Sequence, residues 1–382
     1  MTGLHKTIGL PIMLEEEGEK RAFLPDFVNH LVRLGFEVFL ENNYGNSLGY
    51  DTDDYKQEYA AVKFAPRAEL FDKDYILILR CPHEEEFPKI GQHSCLISML
   101  HFPTRRTRAN KLKENNTQAI SLDSIQNDFG VRLVENMKAV AWNGIEVAFD
   151  ELEEIYPHLL RNPERTWNVL IMGSGMVGKH AVDAATKFGK KSRSIKHMNL
   201  GGEGVIATTL GRTITEQPRK LQDLFKNADM LIDTTQRKDA SKPIVKNEWL
   251  AKLPEHAIIV DLSVDPYLVE DIPPVVKGIE GIPQGNLDQY VFSPNDPEWN
   301  RTIPNRIPSQ VRRKTVTCYS WPGIHPEDCM RHYAQQLLPL MRVLVRKSYA
   351  EISANGPFFE RALYRAKLDT HLSEKREPIH KY

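Results

Sequence analysis

The 382-residue chain predicts an α/β fold, and three observations carry that prediction. Short apolar runs alternate with amphipathic stretches through the first third of the chain. The same alternation starts afresh at Trp167, with a long helical pattern between the two sections. Strands separated by helices pair in parallel through crossover connections, so each section makes a layered α/β unit.

The first section opens with the strand "KTIGLP", followed by the helix "LPDFVNHLVRLG", whose core face is Phe27, Leu31 and Leu34. The strand "FEVFLE" comes next, then a helix begun by Asp or Thr caps in "DTDDYKQEY". The runs "YILILR", "SCLISMLH" and "AISLDSI" complete the section. From Val134 to Leu160, Met137, Val140, Ile145, Ala148 and Leu152 form one stripe of a long amphipathic helix.

The second section begins with "NVLIMGSGMVGKHAVDAATKFGKKSRSIKHMNL", which reads as strand, glycine turn, helix and a second strand ending at Asn199. It continues as the helix "PRKLQDLFKNA", the strand "DMLIDTT", the helix "VKNEWLAKL" and the strand "AIIVDLSVD". Seven of the 24 prolines fall between Pro273 and Pro308, which predicts a long irregular loop rather than a packed element. "TVTCYS" resumes a strand, and a long C-terminal helix follows with Pro326 in its first turn.

Gly173, Gly175 and Gly178 form G-x-G-x-x-G directly after an apolar strand and at the head of a helix. The first glycine permits a tight turn, the second lets backbone approach a pyrophosphate, and the third lets helix and strand pack closely. A Rossmann-like domain binding NAD or NADP is the expectation, with Met176 and Val177 in the turn as further cofactor contacts. Asn199 stands where an acidic residue would hold the adenosine ribose. Asn removes the bias toward NAD, and Arg193, Lys196 and His197 nearby could attract a 2′-phosphate, so both coenzymes stay open.

Lys plus Arg (50) balances Asp plus Glu (51), so no global field points to nucleic acid or an anionic membrane. No run of about 18 apolar residues could span a bilayer. The N-terminal stretch lacks the apolar core of a signal peptide, and Cys81, Cys95, Cys318 and Cys329 form no CxxC pair. A cytoplasmic protein with reduced thiols is expected, with no metal and with scope for a homo-oligomer.

Nearly end to end, apart from an insertion around residues 275–312, the chain resembles one superfamily: alanine dehydrogenase, transhydrogenase α and lysine-forming saccharopine dehydrogenase. Glu19, Arg21 and Pro25, in "EKRAFLP", lie in a stretch similar to that superfamily's N-terminal signature. "ILILRCPHEEEFPKIGQHSCLISMLHF", "IIVDLSVD" and "CYSWPGIHP" resemble its later motifs, and "LDSIQNDFGVRLV" is similar to a saccharopine dehydrogenase stretch. The resemblance implies two Rossmann-like domains with a cleft between them. It makes residues 1–133 plus 325–382 the substrate domain, which the C-terminal helices rejoin, and residues 134–324 the dinucleotide domain.

The resemblance also implies roles. Arg21 pairs a substrate carboxylate beside Glu19, and His101 is the acid/base of the amine–imine step. Asp123 and Arg132 lie on the substrate side, while Thr235, Asp265 and Ser320 join the cofactor set. The family's catalytic lysine is missing, with Ile78 or Arg80 in its place. Arg80 can polarise a carbonyl or bind a carboxylate but cannot shuttle a proton.

The implied activity is reversible hydride transfer between a nicotinamide and an imine formed from a 2-oxo acid and an amino acid, in the manner of saccharopine dehydrogenase. Alanine dehydrogenase activity on pyruvate and ammonia is one alternative. A cofactor-binding or scaffold protein without turnover is the other.

Overall fold

The computed structural model describes residues 6–14, 16–56, 61–155 and 165–373. The chain divides into two compact units, residues 1–136 with 325–382, and residues 137–324.

Unit 1 is a six-stranded, all-parallel sheet in the order β3-β2-β1-β4-β5-β6. Its strands are β1 (Thr7–Leu10), β2 (Glu37–Glu41), β3 (Lys63–Ala65), β4 (Tyr75–Arg80), β5 (Cys95–Met99) and β6 (Gln118–Ser121). The runs Tyr75–Leu79 and Cys95–Ile97 are buried, as strands covered on both faces must be. The short β3 went unread in the sequence because three residues carry too little pattern.

The helix Pro25–Leu34 starts on Pro25 and stops at Gly35, whose φ of 105° lets its N–H reach the last carbonyls. It buries Phe27, Val28 and Leu31, with Leu34 half-buried beside them. The returning helix Pro326–Leu344 buries Met330, Tyr333, Leu337, Leu340, Met341 and Leu344 in the same core.

Unit 2 also has six strands, in the order β11-β12-β10-β9-β7-β8. These are β7 (Trp167–Met172), β8 (Val205–Leu210), β9 (Met230–Asp233), β10 (Ile258–Asp261), β11 (Val291–Phe292) and β12 (Thr315–Thr317). Only β11 runs antiparallel. The helix Met137–Ile155 lays Ala141, Ile145, Ala148, Phe149 and Leu152 on one face of this sheet; of its expected span, Val134, Glu135 and Asn136 precede the helix and residues 156–160 lie outside the described residues.

Three expectations are corrected by the structure. "SIKHMNL" is not a strand but the end of a helix, Lys191–Asn199; the strand beside β7 is β8, further along. The amphipathic spacing of Ile195 and Met198 has no strand partner to satisfy. "VKNEWLAKL" closes into a 3₁₀ turn at Asn247–Lys252 instead of an α-helix. The proline-rich segment is mostly irregular yet packs: Phe292, Trp299 and Ile303 form a small buried cluster, with Trp299 on the short helix Glu298–Thr302.

Candidate functional site

In open α/β sheets, ligands gather beyond the carboxyl ends of the strands, where chain direction across the sheet reverses. In unit 2 that point lies between β7 and β9, because the chain passes from β7 to β8 on one side and then crosses back to β9 on the other. The glycine turn follows β7. Gly173 has φ 104°, and a Cβ there would meet Thr234 Oγ1 at 2.7 Å and Thr234 O at 2.9 Å. A Cβ on Gly178 would meet Gly173 O at 2.4 Å. Nothing lies within 4 Å of a Cβ on Gly175, so its backbone faces open space. Gly175 also caps the helix Met176–Ala185 without a side-chain hydrogen bond, leaving the first N–H groups to a ligand. Met176 is exposed and Val177 half-buried at this helix head. The turn fits a dinucleotide diphosphate, since a side chain at Gly173 or Gly178 would collide with backbone and the open side lies at Gly175.

Asn199 is not part of this arrangement. It is the last residue of a helix that leads into the amino end of β8, and Gly204 O there accepts from Trp167 N–H at the start of β7. Asn199 therefore belongs to the end of the sheet opposite the glycine turn. Arg193 pairs with Asp150 and Glu153, and His197 is buried, its Nε2 accepting from Gly204 N–H at 3.1 Å. Both are structural. The residue that closes the strand beside the turn is Leu210, paired with Met172, and Gly211, Arg212 and Thr213 follow.

Beyond β9, β10 and β12 lies a polar cluster that the sequence reading caught only in part. Thr235 donates through its N–H (2.9 Å) and Oγ1 (2.7 Å) to Asp233 Oδ1, so its hydroxyl is committed to the protein. Asp261 is buried and accepts from Lys277 Nζ (2.6 Å) and Thr317 Oγ1 (3.1 Å). Burial pushes the Asp261 carboxyl up, but Lys277 and the Ser263 hydroxyl hold it below the usual range. Asp265 accepts from Arg237 at 2.8 Å, and burial still raises it overall. Ser320 is half-buried after β12, with its N–H on Cys318 Sγ.

In unit 1 the reversal point lies between β1 and β4. Arg80 ends β4 and pairs with Glu16 at 3.0 Å, while Ile78 and Arg80 line one shallow depression. The segment after β1 brings in Glu19 and Arg21, a buried pair joined by two parallel hydrogen bonds, one of 2.8 Å. Burial raises the Glu19 carboxyl, and the Arg21 and Arg80 guanidinium groups more than offset it, so it stays ionised. Arg21 thus already grips a carboxylate of its own chain.

His101 follows β5 and has φ 53°, a left-handed conformation rare outside glycine and one that tends to mark functional positions. Its N–H donates to Asp123 Oδ1 at 3.0 Å, and its Nδ1 lies 3.3 Å from Asp123 Oδ2. Ser121 Oγ donates to the same carboxylate at 2.8 Å. Burial pushes Asp123 up, but His101 and Ser121 outweigh it and hold the carboxyl well below its ordinary range. Asp123 is fully engaged within the protein. Its contacts are with His101 and Ser121. The buried Tyr333 lies within electrostatic reach of both Arg21 and Asp123, so the candidates share one neighbourhood.

Arg132 stands apart. It is exposed on a tight loop whose backbone bridges Gln126 to Arg132, beside the exposed Phe129 and Val131. The residues that sequence reasoning missed are Asp233, Arg237, Lys277 and Arg212. Asp233 and Arg212 stand at strand ends and Arg237 and Lys277 arrive from loops to pair with Asp265 and Asp261, and neither the register nor the pairing is visible in the sequence. Among the described residues no group of His, Cys, Asp and Glu is arranged to hold a metal, and no helix is long and apolar enough to cross a membrane. All four cysteines are buried and unpaired as disulfides.

A glycine turn shaped for a diphosphate at the reversal point of one parallel-dominated sheet, in a chain that carries a second such sheet, is the build of a two-unit dinucleotide-binding α/β protein. Two family models give the kind. Residues 12–141 match the alanine dehydrogenase/PNT N-terminal domain, and residues 164–266 match the alanine dehydrogenase/PNT C-terminal domain. The chain belongs to this family and is an NAD(P)-dependent oxidoreductase acting on CH–NH bonds. It is 23% identical over 270 residues to alanine dehydrogenase 1 of Staphylococcus aureus (strain NCTC 8325 / PS 47), spanning 65% of this chain and 70% of the relative. To alanine dehydrogenase of Bacillus subtilis (strain 168) it is 22% identical over 275 residues, covering 68% and 70%. An L-alanine dehydrogenase structure superposes with TM-score 0.67 at 18% identity over 94% of both chains, and shows the shared fold. These comparisons back the alanine dehydrogenase branch of the sequence reading better than the saccharopine branch.

Proposed function

We propose that the protein interconverts a small 2-amino acid and its 2-oxo acid plus ammonia, as an alanine dehydrogenase does. The observation that carries this reading is the His101–Asp123 pair at the carboxyl ends of β5 and β6. A carboxylate only accepts, so the imidazole holds a hydrogen on Nδ1 toward Asp123, and Nε2 is left to exchange a proton. Nε2 has no protein partner among the described residues. A bound nicotinamide coenzyme supplies the redox step, taking a hydride from the carbon that bears nitrogen.

His101 then moves the proton at the amine and at the oxygen of the addition intermediate through its open Nε2, which can accept a proton and give it back. Arg80 cannot share that work because a guanidinium donates hydrogen bonds and has no lone pair to take a proton. It instead offers the fixed charge that binds and orients the oxo-acid carboxylate, and Glu16 and Glu19 keep it in place. Arg21 stiffens this arrangement through Glu19. The family's lysine–histidine division of labour is replaced by one proton carrier and one clamp.

The test offers purified protein either reduced coenzyme with pyruvate plus ammonia, or with 2-oxoglutarate plus lysine, and follows the nicotinamide absorbance. Oxidation with the first pair is expected. Oxidation with the second pair alone would replace this reading by the secondary-amine one. Binding without turnover on any pair would overturn it.

A further inference from the structure

We infer that the nucleotide site prefers a 2′-phosphorylated dinucleotide, NADP, and that Arg212 is the residue that selects it. This rests on the dinucleotide reading of the glycine turn and goes beyond it. In sheets of this type the adenosine ribose lies beyond the end of the strand next to the glycine strand, where a carboxylate takes both hydroxyls and repels a phosphate. Here that strand is β8, and its register is fixed: Leu210 stands opposite Met172, and Leu210 O accepts from Gly173 N–H at 3.0 Å. The next residue, Gly211, therefore flanks the turn itself.

The segment beyond β8 lacks the carboxylate of the NAD arrangement. Gly211 brings no carboxylate, and a Cβ there would have nothing within 4 Å, so the space that a ribose substituent needs is open. Arg212 comes next and is exposed. Its guanidinium makes no ion pair or hydrogen bond among the described residues, whereas Arg193 and Arg237 are each committed to a carboxylate. Thr213 adds an exposed side chain with a hydroxyl. A planar fork of donors on an unpaired cation is what a phosphate dianion takes most strongly, and a diol gains little from it. The basic residues that the sequence places near Asn199 have no such part, because they sit at the other end of the sheet.

The experiment is calorimetric titration of the full-length protein with NADPH and with NADH, without substrate. NADPH is expected to bind at least about tenfold more tightly. Arg212→Ala should remove most of that difference by weakening NADPH while leaving NADH unchanged, and Arg212→Lys should retain part of it. Circular dichroism of the variants checks that they fold. Equal or tighter binding of NADH by the unaltered protein overturns the inference and leaves the dehydrogenase reading intact. So does an Arg212→Ala variant that keeps the full preference. Failure to bind either coenzyme removes both readings, whereas tight NADPH binding without turnover removes only the proposed reaction.

Discussion

Asp233 offers the sharpest physical test of the nucleotide-binding unit. It closes β9, is 1% exposed, and accepts two hydrogen bonds from Thr235 on Oδ1. Among the described residues its Oδ2 meets no hydrogen-bond partner, and it packs against Gly278, where an added Cβ would sit 2.2 Å away. Around it stand two cations and two more carboxylates, Lys277 on Asp261 and Arg237 on Asp265. The cluster therefore carries one carboxyl more than its cations neutralise. Burial first, then the Asp261 and Asp265 charges, push Asp233 up from 3.8 to about 7.

The folded protein thus holds a proton on Asp233 that the unfolded chain releases at lower pH. Stability contributed by that proton is complete below the unfolded value of 3.8 and is lost as pH rises toward about 7. At about 1.4 kcal/mol per pH decade, the loss between pH 5 and pH 8 is about 2–3 kcal/mol. Asp233→Asn keeps the oxygen that Thr235 needs and never ionises, so it mimics the protonated acid at every pH. Urea unfolding followed by tryptophan fluorescence should show the variant more stable than the unaltered protein at pH 8 and nearly equal at pH 4. The slope of free energy on urea should be unchanged. Identical pH dependence in the two proteins would refute the argument.

Four further outcomes follow from the geometry. His101→Ala should lower turnover by about two to four orders of magnitude with coenzyme affinity intact, and Asp123→Asn by about one to two orders; steady-state kinetics with coenzyme titration reads both. Gly178→Ala places a methyl 2.4 Å from Gly173 O, so coenzyme affinity in a fluorescence titration should fall at least about tenfold as the turn is displaced. Lys277→Met strands the buried Asp261 carboxylate without its cation, and denaturant unfolding should register a loss of about 3–5 kcal/mol.

Much of the architecture was legible because buried parallel strands announce themselves as apolar runs: "YILILR" and "NVLIM" name β4 and β7 almost to the residue. The glycine turn was legible for a different reason, since Gly173 and Gly178 occupy positions where any side chain would collide with backbone. The error at Asn199 came from register. "SIKHMNL" has apolar residues at spacings that suit either a strand or a helix, and only the partner strand decides between them. Once β8 moves to Val205–Leu210, the ribose position moves with it, and a neutral Asn is replaced by Arg212.

Long-range pairing was the other hidden quantity. His101 and Asp123 were each visible as candidates, but nothing in the 22-residue separation says that their strands lie side by side. The same holds for Lys277, which a proline-rich segment carries back to Asp261.

The account stands on hydride moving between the coenzyme and the amine-bearing carbon, and isotope transfer measures that directly. Reduced coenzyme deuterated at the reactive ring position, mixed with the protein, pyruvate and ammonia, should place the label on carbon 2 of alanine, detected by mass spectrometry. Unlabelled product, or no amino acid from any 2-oxo acid while the coenzyme is demonstrably bound, would contradict it.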